Sequence, residues 1–222
     1  MPETKRHLEQ RTMLYQILKL AFAERAAIGC DQFVYWDPTN PRQCLAPDGF
    51  VRLGVRDELF RSWKVWERGA PEVAIEIISS LDARDRNWDK KLESYRRLGV
   101  RELVRFDAEC EPASLRIWDA IDQDLVERNA VERSAPSRYL PGVWLVVDDP
   151  EQGALLRLSH DAEGLRLYPT PAERTRQEAE SVRQEAESVR LQAEQARQEE
   201  AAARERAEQR VRELELELKR RG

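Results

Sequence analysis

The sequence predicts an α/β (α+β) domain, a mixed central β-sheet flanked by helices, with a long coiled-coil-like helical arm at its C-terminal end. Three observations predict it. Residues 70–107 read as strand, charged helix, strand. Residues 5–25 place Leu8, Met13, Leu14, Ile17, Leu18, Leu20, Ala21 and Phe22 near helical spacing, as a helix covering one face of a sheet does. All six tryptophans lie before Leu145, whereas the segment after Pro171 is mostly Glu, Arg and Gln, with no aromatic, Pro or interior Gly. Residues 1–170 therefore have the makings of a core, and residues 171–222 do not.

The totals bound the function. Charged residues make up 36% of the 222, above the usual quarter, and the excess is concentrated in the tail. A net charge of −5 carries no global basic signature of a nucleic-acid coat, yet it leaves room for an enzyme with a small local site. Three widely spaced cysteines, Cys30, Cys44 and Cys110, and two histidines support neither a disulfide framework nor a zinc site. The polar, charged N-terminus does not resemble a signal peptide and no apolar run is long enough to span a bilayer, so a cytoplasmic protein is expected.

In chain order, the first helix covers a sheet face, with Glu9 the residue that could reach a site from it, and ends at Gly29-Cys30-Asp31. Residues 32–37 (QFVYWD) have the aromatic and β-branched content of a strand. Residues 44–53 (CLAPDGFVRL) read as one strand bent at Pro47-Asp48-Gly49, because the apolar runs on either side are short for two strands. Residues 57–69 form a connector in which Trp63 and Trp66 are packing residues.

Residues 72–79 make the next strand. Asp82 or Asp85 caps the following helix, Leu92, Tyr95 and Leu98 form its inward stripe, and Gly99 closes it. Residues 101–107 return as a strand, 114–128 give short strands, and 143–147 (VWLVV) give an apolar one. Residues 154–158 and 164–168 form a closing hairpin.

The tail contains RQEAESV twice in succession, at residues 176–182 and 183–189. Ala179, Val182, Ala186, Val189, Ala193 and Ala196 follow the alternating spacing of a coiled-coil seam, which Glu200 and Arg210 break before Val211, Leu214 and Leu218 resume it. Alanine buries little area. A coiled-coil dimer, a partner helix and a largely independent helix all remain open for this arm.

The chemistry centres on one carboxylate. Glu76 sits between Ile75 and Ile77 in a run that must be buried, where an uncompensated charge costs several kcal/mol. Asp48, at a strand bend, is the second acid. Lys90 and Lys91 follow on the helix, one turn before Tyr95. Two acids on neighbouring strands can share a hard cation such as Mg²⁺, and a lysine beside them can orient water or neutralise a phosphate.

The segments LAPDGFVRL, APEVAIEIISSLDARDRNWDKKLESYRRLGVRELVRFD and LPGVWL resemble the Uma2 family, of the PD-(D/E)XK restriction-endonuclease-like superfamily, over residues 32–147. The resemblance implies a nuclease-like core and metal-dependent endonuclease chemistry on nucleic acid, DNA in the first instance. It implies Asp48 and Glu76 as catalytic, metal-binding acids, with the Ile77 carbonyl as a further ligand for Mg²⁺ or Mn²⁺. The superfamily's usual lysine would fall at Ile78, and Lys91 is its match on the helix. The chain departs from the family at Asn87, where an acid is common, and at Ser79-Ser80. Two rival readings stand beside this one: a non-catalytic nuclease-fold scaffold working through its arm, and a metal-dependent hydrolase of small phosphate esters.

Overall fold

A computed structural model of the chain describes residues 4–78, 88–129 and 132–221. It comprises two compact units, Met1–Pro171 and Ala172–Gly222. The first half of the larger unit holds α1 (Lys5–Phe22), β1 (Ala26–Gly29), β2 (Val34–Tyr35), β3 (Cys44–Leu45), β4 (Gly49–Leu53), β5 (Trp63–Lys64) and α2 (Val65–Arg68). Then come β6 (Val73–Ile78), α3 (Trp88–Leu98), β7 (Glu102–Asp107), β8 (Ser114–Ile121) and β9 (Asp124–Glu127). A final group, β10 (Ser134–Pro136), β11 (Val143–Asp149) and β12 (Gly153–Ser159), precedes α4 (Pro171–Arg221).

The central sheet is mixed, in the order β1-β4-β6-β7-β8-β9. Only β6 and β7, joined through α3, pair in parallel; the other neighbours are antiparallel. Two smaller sheets, β10-β11-β12 and β3-β2-β5, accompany it. All six residues of β6 are buried, as a strand covered on both faces requires. Its period of two sends Val73, Ile75 and Ile77 into a core with Leu14, Leu18 and Phe22 of α1 and Trp144 of β11. Ala74 faces a second core, with Tyr95 and Leu98 of α3, Phe50 and Trp63.

Several expectations change. The first helix ends at Phe22, and Ala26–Gly29 is a strand, because β4 offers it a four-residue ladder from Ala26↔Leu53 to Gly29↔Phe50. Its two alanines favour helix locally, and tertiary pairing overrides them. Leu8 is exposed; the buried stripe is Gln10, Leu14, Ile17, Leu18 and Phe22. Residues 44–53 form two strands in different sheets, with Asp48 at the corner between them. Two such short strands are stable because β3 draws its pairing from β2, outside the central sheet.

Trp63 is fully buried, its indole N–H donating to the Gly69 carbonyl at 2.8 Å, while Trp66 is exposed. The closing hairpin is β11 with β12, and residues 164–168 contribute one isolated bridge, Ser159↔Leu167. Gly99 ends α3 at φ 88°, in the left-handed region where glycine carries no side-chain penalty. Ser79, Ser80, Asp82, Asp85 and Asn87 lie outside the described residues.

By itself, α4 is a single helix whose described side chains are exposed except near its start, Val182 by 66% and Val189 by 59%. Pairs such as Arg174–Glu178 at 2.9 Å and Arg204–Glu200 at 2.7 Å lie along its surface, each stabilising by a few tenths of a kcal/mol. Among the described residues no helix is long and apolar enough to cross a membrane.

Candidate active site

The site forms on the α3 face of the central sheet, around a buried carboxylate. On β6, Glu76 follows Ala74 onto the side covered by α3, and only 3% of it is exposed. Lys91 Nζ donates to Glu76 Oε2 at 2.6 Å, and the Tyr95 hydroxyl donates to Oε1. Lys91 and Tyr95 are one helical turn apart, so both reach the same carboxylate. Lys90, next in sequence, points to solvent.

Asp48 enters from the neighbouring strand. The β4–β6 ladder pairs Gly49 with Ile75, so its continuation sets Asp48 beside Glu76. Gly49 suits the approach, since a Cβ there would lie 3.3 Å from Ile75 Cδ1. The Ile77 amide donates to Asp48 Oδ2 at 2.8 Å, which fixes the carboxylate against β6.

Burial pushes the Glu76 carboxyl up to about 7; Lys91 opposes the shift and the Asp48 charge adds to it. Burial and the Glu76 charge also raise the Tyr95 hydroxyl well above its ordinary value, so it stays a donor.

Sequence reasoning missed His7. Its Nε2 lies 2.8 Å from the Ile77 carbonyl oxygen and 3.2 Å from Asp48 Oδ2. A carbonyl only accepts, so Nε2 carries the proton and presents it to both oxygens. The Thr4 side chain accepts from the His7 amide at 3.2 Å and so fixes the start of α1 at this residue. Arg11, one turn on, lies 4.0 Å from Asp48 Oδ1 and 3.0 Å from Asp31.

The signal was present, because His7, Arg11, Leu14 and Leu18 repeat at intervals of four, three and four on the buried face. Glu9 is exposed and pairs with Lys5 at 3.5 Å, so the polar reach of this helix comes from His7 and Arg11 instead.

The donor chemistry can be set against a metal. Among the described residues no group of three or more His, Cys, Asp or Glu side chains could hold an ion. Mg²⁺ commonly asks for less, one or two carboxylates with water and substrate oxygens. Asp48, Glu76 and the Ile77 carbonyl are hard oxygen donors of that kind. Burial is the main reason the Glu76 carboxyl is raised, and the Asp48 charge adds to it, so a cation held between the two acids would favour the charged form of both. Such a set suits a small divalent cation.

No curated protein matches the chain. Among solved structures, it is similar to a "putative nuclease belonging to DUF820" from Anabaena variabilis ATCC 29413, with 14% identity and a TM-score of 0.45, over 62% of this chain and 74% of that one. The family model Uma2, described as "Putative restriction endonuclease", matches residues 1–169, and the chain belongs to that family.

Proposed function

We propose that the chain is a divalent-metal-dependent endonuclease that hydrolyses phosphodiester bonds in DNA. The observation that carries this reading is the meeting of Asp48, Glu76 and Lys91 beside the Ile77 carbonyl in a buried setting. Asp48, Glu76 and the Ile77 carbonyl would hold Mg²⁺ or Mn²⁺. When bound, the metal lowers the pKa of a water and screens the phosphate.

The protein's own groups do the rest. Tyr95 holds one oxygen of Glu76, and His7 and the Ile77 amide hold Asp48, so both acids are oriented before substrate arrives. Lys91 has its ammonium at the site, able to position the attacking water or offset charge on the phosphate. Ile78, on the same strand face as Glu76, has no such group, so the helix supplies it.

The test is incubation of the full chain with plasmid, linear and single-stranded DNA plus Mg²⁺ or Mn²⁺. Cleavage is expected, and activity that survives Asp48→Ala or Glu76→Ala intact rules out this site. Lys91→Ala is expected to slow cleavage by about 10²–10³-fold, as loss of one electrostatic contact does. Lys90→Ala should cut like the parent, and the opposite pattern would move the role to Lys90.

We also propose that α4 joins a second copy or a partner helix through its uncovered Ala/Val seam. Removing residues 171–222 is expected to lower the mass measured by light scattering while leaving far-UV dichroism of the sheet unit in place. An unchanged oligomeric state argues against self-association through the arm.

A further inference from the structure

The strand register carries the site further along the sheet. In the β6–β7 ladder Glu76 pairs with Arg105, and in the β7–β8 ladder Arg105 pairs with Arg116. Side chains of directly paired residues leave a sheet on the same face. Glu76, Arg105 and Arg116 therefore form one row on the side covered by α3, reaching across two strand spacings, about 10 Å.

The two arginines are held in aromatic company. The Arg105 guanidinium lies 5.0 Å from the Trp88 ring, and that of Arg116 lies 4.9 Å from Trp118. The two tryptophans contact each other at 5.3 Å. Stacking fixes the plane of a guanidinium and leaves its edge for a planar or tetrahedral oxyanion.

The acids nearby are Asp107, 3.5 Å from Arg105, and Glu127, which grips Arg116 through two bonds of 2.5 and 2.6 Å. Arg105 is the less satisfied of the pair. Its Nε and the Trp88 indole N–H are both buried with no hydrogen-bond partner among the described residues. Both are donors that cannot accept, so each can still give a bond to an acceptor oxygen.

We propose that Arg105 and Arg116, stacked on Trp88 and Trp118, form a phosphate-binding rail that holds the nucleic-acid backbone beside the cleavage site. The inference rests on the nuclease reading and names the side chains that would hold its substrate. The rail lies in line with Glu76 and Lys91. Its length corresponds to roughly three nucleotides of axial rise. Contacts of this kind position the backbone and carry no sequence preference. Glu127 acts as a counterweight, occupying Arg116 until a phosphate competes for it.

The test is fluorescence anisotropy of a labelled DNA duplex with the full chain in EDTA, so that binding is read without cleavage. Arg105→Ala is expected to weaken binding by about tenfold and to make the salt dependence of log K shallower by about one. Arg116→Ala should act in the same direction. Glu127→Gln should tighten binding several-fold by releasing Arg116. Arg133→Ala, which removes an exposed arginine beside β10, controls for lost net charge and should bind like the parent.

Circular dichroism checks that Arg105→Ala is folded; if it is not, Arg116→Ala and Glu127→Gln decide. The proposal is overturned if the parent does not bind DNA, or if the folded variants bind with its affinity and salt slope. Cleavage by a parent whose binding ignores these arginines overturns the rail alone. Arginine-dependent binding by a protein that never cuts overturns the proposed chemistry alone.

Discussion

Glu76→Gln is expected to abolish cleavage and, in the metal-free protein, to raise stability above pH 7. The loss follows from removing one of two acids that would hold the metal. Such an ion contributes several kcal/mol to the transition state, on the order of a thousandfold in rate. The gain follows from burial. The folded protein pushes the Glu76 carboxyl from 4.5 up to about 7. A carboxyl raised in this way favours the protonated folded state. Its contribution is fully present below the unfolded value, declines as pH rises, and is lost once pH passes the folded value.

The stability lost between pH 4.5 and about 7 on this account is about 3 kcal/mol. Glutamine does not titrate, and its carbonyl can still accept from Tyr95, while Lys91 is exposed enough to turn to water. Urea denaturation in EDTA at pH 5 and pH 8 measures the difference. The parent should lose more stability than Glu76→Gln across that interval, and parallel behaviour would show that the Glu76 charge is not the cause. Mn²⁺ should raise the melting temperature of the parent and leave the variant nearly unmoved.

These residues differ in how far the sequence exposed them. Glu76 was legible because a single carboxylate interrupts an apolar strand, an arrangement that is costly without a purpose. Asp48 was legible from its Pro and Gly neighbours, although the corner they mark separates two sheets instead of bending one strand. The choice between Lys90 and Lys91 drew on a family resemblance, yet helix phase carries it as well. Trp88, Lys91, Tyr95 and Leu98 share one face, and Lys90 stands about 100° from it.

His7 was hard to read because its partner, the Ile77 carbonyl, is 70 residues away. Helix phase places His7 on the buried face, but no local pattern announces a main-chain acceptor on a distant strand. β1 was missed for a related reason, since its ladder with β4 is decided by tertiary pairing. The register that aligns Glu76, Arg105 and Arg116 depends on which strands lie side by side, and nothing in the spacing of 76, 105 and 116 discloses it.

The largest loss of stability is expected from Glu102→Ala. Glu102 belongs to the signature that carries the family resemblance, but it faces away from Glu76 and lies fully buried. Its carboxylate accepts from the Ser137 hydroxyl at 2.7 Å, the Arg138 amide at 2.7 Å and the Trp144 indole at 2.9 Å. It thereby ties β7 to the chain leading into β11. Across the ladder it pairs with Asp119, a second buried acid. Two like charges directly opposite would repel. Arg128 lies between them, 2.7 Å from Asp119 and 3.4 Å from Glu102, with Arg138 a further 3.3 Å from Asp119.

Alanine at 102 leaves the buried Trp144 indole and two half-buried donors, the Ser137 hydroxyl and the Arg138 amide, without this acceptor. The expected cost is about 3–5 kcal/mol, on the order of 10 °C in melting temperature for a unit of this size. Glutamine keeps one acceptor oxygen and should cost less. Urea midpoints at an unchanged slope measure both, and a Glu102→Ala midpoint equal to the parent's would contradict the network. Because none of these contacts touches Asp48, Glu76 or Lys91, folded Glu102→Gln should cut DNA at the parent's rate, which separates what this signature residue stabilises from what Glu76 does.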